Sequence, residues 1–180
     1  PESVPAQQEM AALLERHLLT CHGDHYSRTE NRLHCRPGGF STPVRAPEAL
    51  WNCSLWVADD LILMSPQEDR YVLTAASLCS PSHWSLAEKF GCPMQAIHHP
   101  VPGLNATLET RINRFLKHLR PAHPVARFNW GLQAGDALGQ WPEDPVAVID
   151  AETPLYYRSE RQSLRRLPVS GAIAFTIRVY

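Results

Sequence analysis

Cysteine is sparse and poorly spaced for staples. The 180 residues hold five, at positions 21, 35, 53, 79 and 92, an odd number with no Cys-x-x-Cys pair, which argues against a disulfide framework or a zinc ribbon. A reducing compartment fits this pattern, and the cytoplasm is the expected location. No apolar run approaches the roughly 20 residues of a membrane span, and no basic-then-apolar signal pattern opens the chain, so no membrane association is expected. Charge of either sign is also lacking in excess. Seventeen Lys+Arg against eighteen Asp+Glu leave a formal charge of −1, which supplies no field for nucleic acid or an anionic surface. Gly-x-Ser-x-Gly, His-Glu-x-x-His and phosphate-cradling glycine loops are absent, which removes the commonest hydrolase and nucleotide-site readings.

What is there is enough for one domain spanning 1–180, since a chain of this size buries a core without disulfides or metals. It begins at Pro1 without a methionine and ends at Tyr180 in a strand-like run, and is expected to be truncated at both ends. Met10, Leu13, Leu14, Leu18 and Leu19 recur at helical spacing and predict an amphipathic helix from about Ala6 to Cys21. Prolines and Gly38-Gly39 predict a loop from Asn31 to Glu48. Leu50 to Val57, Leu61 to Met64 and Tyr71 to Leu78 read as an antiparallel meander, with Gln67 to Arg70 as a turn. A short helix is expected from Pro81 to Lys89, a second from about Leu104 to Leu119, and strands over Val125–Leu132, Leu155–Leu164 and Gly171–Tyr180. Pro93, Pro100 and Pro102 place His98 just beyond a helix. Strands outnumber helices without beta-alpha-beta alternation, which predicts an α+β fold.

Four groups of residues carry chemistry. Arg158 to Pro168 crowds four arginines and Glu160 beside an apolar strand; alternation puts Arg158, Glu160 and Gln162 on one face and Ser159, Arg161 and Ser163 on the other. Its plain reading is a set of exposed ion pairs. His98 and His99 sit on a proline-stiffened segment, and as ordinary loop histidines they would satisfy backbone groups. Glu68 and Asp69 are either a polar turn or a carboxylate able to hold a cationic amine. Cys21, His22, His25, His34 and Cys35 are zinc-ligand types, but the adjacent Cys21-His22 has poor spacing for a tetrahedral site.

Five motifs in order, Gln67-Glu68-Asp69, Trp84 with Lys89-Phe90-Gly91, His98 to Pro102, Arg127 to Trp130 and Arg158 to Pro168, resemble the catalytic (alpha) subunit of the haem-dependent oxidative N-demethylases. The resemblance runs from about Trp51 to Tyr180 and departs at Ser80 and Ser163, where an aromatic residue and a threonine are usual. It implies a PAS-like antiparallel sheet flanked by helices, holding haem b and oxidising a small methylated amine such as dimethylamine with dioxygen to release formaldehyde. The same resemblance implies His98 as the iron ligand, with His99 as the alternative, and Arg161 as a further cofactor contact. Arg158 and Gln162 are expected to polarise dioxygen, and Glu160 or Asp69 to hold the amine and move its protons, while Trp130 is expected to pack in the core. Electrons are expected from partner subunits carrying NADPH, FMN and a 2Fe-2S cluster, with tetrahydrofolate bound elsewhere in the assembly. The alternative class on the same scaffold is a non-catalytic haem-based gas-sensing or ligand-binding PAS-like module.

Overall fold

A computed structural model describes residues 2–44, 48–98, 106–145 and 148–180, with backbone alone at 95, 98 and 106–109. Helix α1 (Val4–Cys21) carries Pro5 in its first turn, where a missing N–H is harmless, and buries Ala6, Met10, Ala11 and Leu18 along one stripe. Three short strands, β1 (Tyr26–Thr29), β2 (Arg32–Cys35) and β3 (Phe40–Pro43), form a small antiparallel sheet. This corrects the loop expected over Asn31–Glu48. Leu33 and Cys35 are buried while Arg32 is exposed, a period of two too brief to stand out between glycines and prolines. Helix α2 (Ala49–Ser54) replaces the strand expected over Leu50–Val57. Ala49, Leu50 and Cys53 are buried at helical spacing, and the Asn52 N–H bonds back to the Glu48 carbonyl at 3.0 Å. Short apolar runs carry no reliable period, and this one was settled by its neighbours.

The remaining elements are β4 (Asp60–Gln67), β5 (Arg70–Ser77), α3 (Leu86–Lys89), α4 (Met94–His98), α5 (Ala106–His118), β6 (Val125–Ala134), β7 (Leu155–Arg166) and β8 (Ile173–Val179). Strands β4 to β8 make a five-stranded sheet in the order β5-β4-β8-β7-β6, with every neighbouring pair antiparallel. Together with the helices this is an α+β fold consistent with a PAS-like sheet flanked by helices. Helix α4 corrects the expectation that His98 stands beyond a helix: the Ile97 N–H bonds to the Pro93 carbonyl at 3.1 Å, and His98 is the last residue of the turn.

Strand β4 explains why the sheet has two covered faces. Leu61 and Leu63 join the core under α1 and α2, while Ile62 and Met64 join Leu73, Ile173, Leu116 and Leu119 on the other side. Each such side chain contributes about 1.5–3 kcal/mol when fully buried. A strand buried on both faces reads as a continuous apolar run, as Leu-Ile-Leu-Met does here. By contrast β6 is an edge strand, and Phe128, Trp130 and Leu132 on it are exposed.

Candidate functional site

Between the inner face of the large sheet and the segment carrying α3 and α4 lies a cavity of about 320 Å³. Its sheet wall is apolar, with Ile62, Met64, Leu73, Phe175 and Ile177, and Met94 and Ile97 face it from α4. The polar lining is Ser82, His83 and Lys89 on one side and Arg127 and Gln162 on the other. No carboxylate is among the described lining residues.

The segment leading to His83 is held by non-local hydrogen bonds. Asp60, only 2% exposed, accepts the N–H groups of Cys79 and Ser80 on a single oxygen at 2.6 and 2.8 Å. Arg158 donates from Nη2 to the Ser80 carbonyl at 2.9 Å and from Nη1 to the Leu138 carbonyl at 2.5 Å. Ser80 is thus gripped at both its N–H and its C=O. Further on, the Gln140 N–H bonds to the Pro81 carbonyl at 2.7 Å and the His83 N–H to the Gln140 carbonyl at 2.8 Å. His83 sits at φ 52°, in the left-handed region that a non-glycine residue adopts only when its surroundings impose it. The other described non-glycine residues with positive φ, Glu30 and Glu68, lie in hairpin turns; His83 alone of the three lines the cavity.

From β6 to β7 a second chain of bonds fixes the polar wall. Arg127 donates from Nε to Oε1 of Gln162 at 2.6 Å, and the Gln162 amide donates to Oε2 of Glu160 at 2.9 Å. A cation on one side and a carboxylate on the other leave one sensible orientation for that amide. Glu160 also receives the Arg158 Nε–H at 3.3 Å, with both side chains largely buried. Gln162 therefore faces the cavity while Glu160 and Arg158 stand behind it.

The structure brings Arg158, Glu160 and Gln162 together on the inner face, as alternation predicts, and puts Arg161 on the outer face, 3.7 Å from Asp59. The backbone of His98 follows Ile97 at the cavity wall, whereas His99 lies outside the described residues. Asp69 is not brought to this cavity. It stands at the β4–β5 turn with its side chain fully exposed, and its 2.8 Å hydrogen bond and charge pairing with Lys117 hold its carboxyl below the usual carboxylate range. Trp130, expected in the core, is 64% exposed and stacks on Tyr157 with centroids 5.6 Å apart, on a stretch of the edge strand β6 where Phe128 and Leu132 are exposed as well. Asp60 and His83 were missed, since their roles rest on partners 19 or more residues away. Among the described residues no three His, Cys, Asp or Glu side chains gather as a metal cluster, and no helix is long and apolar enough to cross a membrane.

An α+β fold, an apolar cavity with cationic and amide groups at its edge, and a histidine-bearing helix end are the frame in which the family comparison falls. The model of the family described as haem-dependent oxidative N-demethylase, alpha subunit-like, matches residues 1–180, the whole chain. This chain belongs to the haem-dependent oxidative N-demethylase alpha subunit-like family.

Proposed function

We propose that this chain is the haem-bearing catalytic subunit of an oxidative N-demethylase acting on a small methylated amine such as dimethylamine. The observation that carries this reading is the inner cavity itself. Apolar side chains of the sheet face Met94 and Ile97 of α4 across it, which suits a flat macrocycle, and Lys89 and Arg127 with no described carboxylate suit the negative charge of haem propionates. His98, the residue after Ile97 in α4, would hold the iron. Haem b when bound supplies the activation of dioxygen.

The overall reaction converts an N-methyl group and dioxygen, with two electrons and two protons, to the demethylated amine, formaldehyde and water. The electrons come from partner subunits carrying NADPH, FMN and a 2Fe-2S cluster, with tetrahydrofolate as the acceptor of the one-carbon product; the chain has no cysteine quartet for a cluster of its own. Within the cavity, Gln162 presents an amide oriented by Arg127 and Glu160 toward dioxygen and amine. Arg158 acts at one remove, since its guanidinium holds Glu160, Ser80 and Leu138. A cationic lining disfavours the ammonium form of the substrate, so the amine must give up its proton. His83 is the described lining group able to accept it, whereas Asp69 stands at its exposed turn paired with Lys117.

The test is the visible spectrum of the protein expressed with haem supply and titrated with dimethylamine. A Soret band that shifts with amine, and that disappears in His98→Ala, is the expected result. Full haem occupancy with an unchanged band in His98→Ala removes that ligand assignment. A band indifferent to amines favours the gas-sensing module instead.

A further inference from the structure

A larger cavity, about 550 Å³, lies on the opposite side of the large sheet, between the carboxyl-terminal half of α1 and strands β6, β7 and β8. Arg161 and Arg178 both line it, and they are register partners on β7 and β8. Residues so paired place their Cβ atoms about 5 Å apart, and like charges directly opposed in a sheet are destabilising. Asp59 is the carboxylate in the lining, so two guanidinium groups share one counter-ion. That counter-ion is itself unfavourably placed: burial raises the pKa of Asp59 against the pull of both arginines, and it is 3.7 Å from Arg161. The Arg178 guanidinium makes no side-chain hydrogen bond among the described residues and lies 5.7 Å from the Tyr180 ring centroid.

The rest of the lining is amphipathic. Leu14, Leu18 and Leu61 supply apolar surface, and His17 and His22, edge to face at 5.3 Å, supply aromatic walls that can also donate. We propose that this cavity is a second binding site, taking a small organic anion, a carboxylate or phosphate on a compact apolar body, with the anionic group between Arg161 and Arg178. Guanidinium groups bind both anions in a bidentate fork, and the cavity volume falls in the range of small-molecule sites. The site is separate from the inner cavity, and its occupation does not depend on haem.

The test is calorimetric titration of the full chain at fixed ionic strength with benzoate, phenyl phosphate and inorganic phosphate. Benzoate or phenyl phosphate should bind, and whichever of the two binds more tightly identifies the anionic group. Arg178→Leu should weaken that binding at least about tenfold, the scale of one lost charge-assisted contact. Ala126→Phe, which narrows the cavity without changing its charge, should weaken the organic anions as well and decides the matter if Arg178→Leu does not fold. No binding up to about 10 mM overturns the proposal, as does binding that both variants leave unchanged. Inorganic phosphate binding as tightly as phenyl phosphate overturns the apolar half of it. The Soret band of haem-loaded protein should not move on adding these anions, and a shift would place them in the inner cavity instead.

Discussion

Replacing Arg158 by methionine separates a positioning role from direct contact with a ligand. The stem of the side chain is kept and the guanidinium is lost. With it go the 2.5 Å bond to the Leu138 carbonyl, the 2.9 Å bond to the Ser80 carbonyl and the 3.3 Å bond to Glu160. Arg158 and Glu160 side chains are 9% and 16% exposed, so solvent replaces little of what is removed. Breaking a buried pair by deleting one partner costs about 3–5 kcal/mol. At this chain length each kcal/mol lowers the melting temperature by about 2–4 °C, so a drop of roughly 6–20 °C is expected. Urea unfolding followed by tryptophan fluorescence measures the loss directly. A double-mutant cycle with Glu160→Gln should return a coupling of about 0.5–3 kcal/mol. A destabilisation below about 1 kcal/mol, the scale of a surface pair, would refute the clamp and return Arg158 to the cavity as a ligand contact.

His83 at φ 52° predicts that His83→Gly is more stable than His83→Ala by about 1 kcal/mol, because only glycine meets that backbone without strain, while both lose the amine-induced Soret shift; equal stability would deny the strain. Glu9 is partly desolvated, which raises its pKa, but hydrogen bonds from Ser170 and Val169 outweigh this and hold the carboxyl below its ordinary value of 4.5. Its folded pKa lies under the unfolded one, so its contribution is present above about 4.5 and is lost as pH falls through the folded value. Melting curves taken down through that range should fall less steeply for Glu9→Gln than for the parent. Cys53 is fully buried, and burial pushes its thiol up to about 12, so iodoacetamide should modify exposed Cys21 in the native protein and reach Cys53 only after unfolding; equal labelling by mass spectrometry would contradict that burial.

Long or strongly periodic segments were legible from sequence, and short ones were not. The apolar stripe of α1 and the Leu-Ile-Leu-Met run of β4 announce their environments without help. Strands β2 and β3 and helix α2 are four to six residues long, and tertiary packing decided their state. Alternation along β7 correctly separated Arg161 from Arg158, Glu160 and Gln162. What alternation cannot supply is the partner: Ser80 lies 78 residues from Arg158, and Asp60 twenty from Ser80. Asp69 was readable as a turn residue, but its distance from the cavity depended on how β4 and β5 are placed, which composition does not reveal.

The large sheet is one backbone layer with a cavity against each side, and consecutive residues belong to different cavities. Asp59 faces the outer one while Asp60 secures the loop over the inner one; Arg161 lines the outer and Gln162 the inner, and Arg178 and Ile177 repeat the division on β8. The two chambers thus share a wall one strand layer thick but no side chain of that wall, so Arg161 and Arg178 can be replaced without touching the lining of the inner chamber.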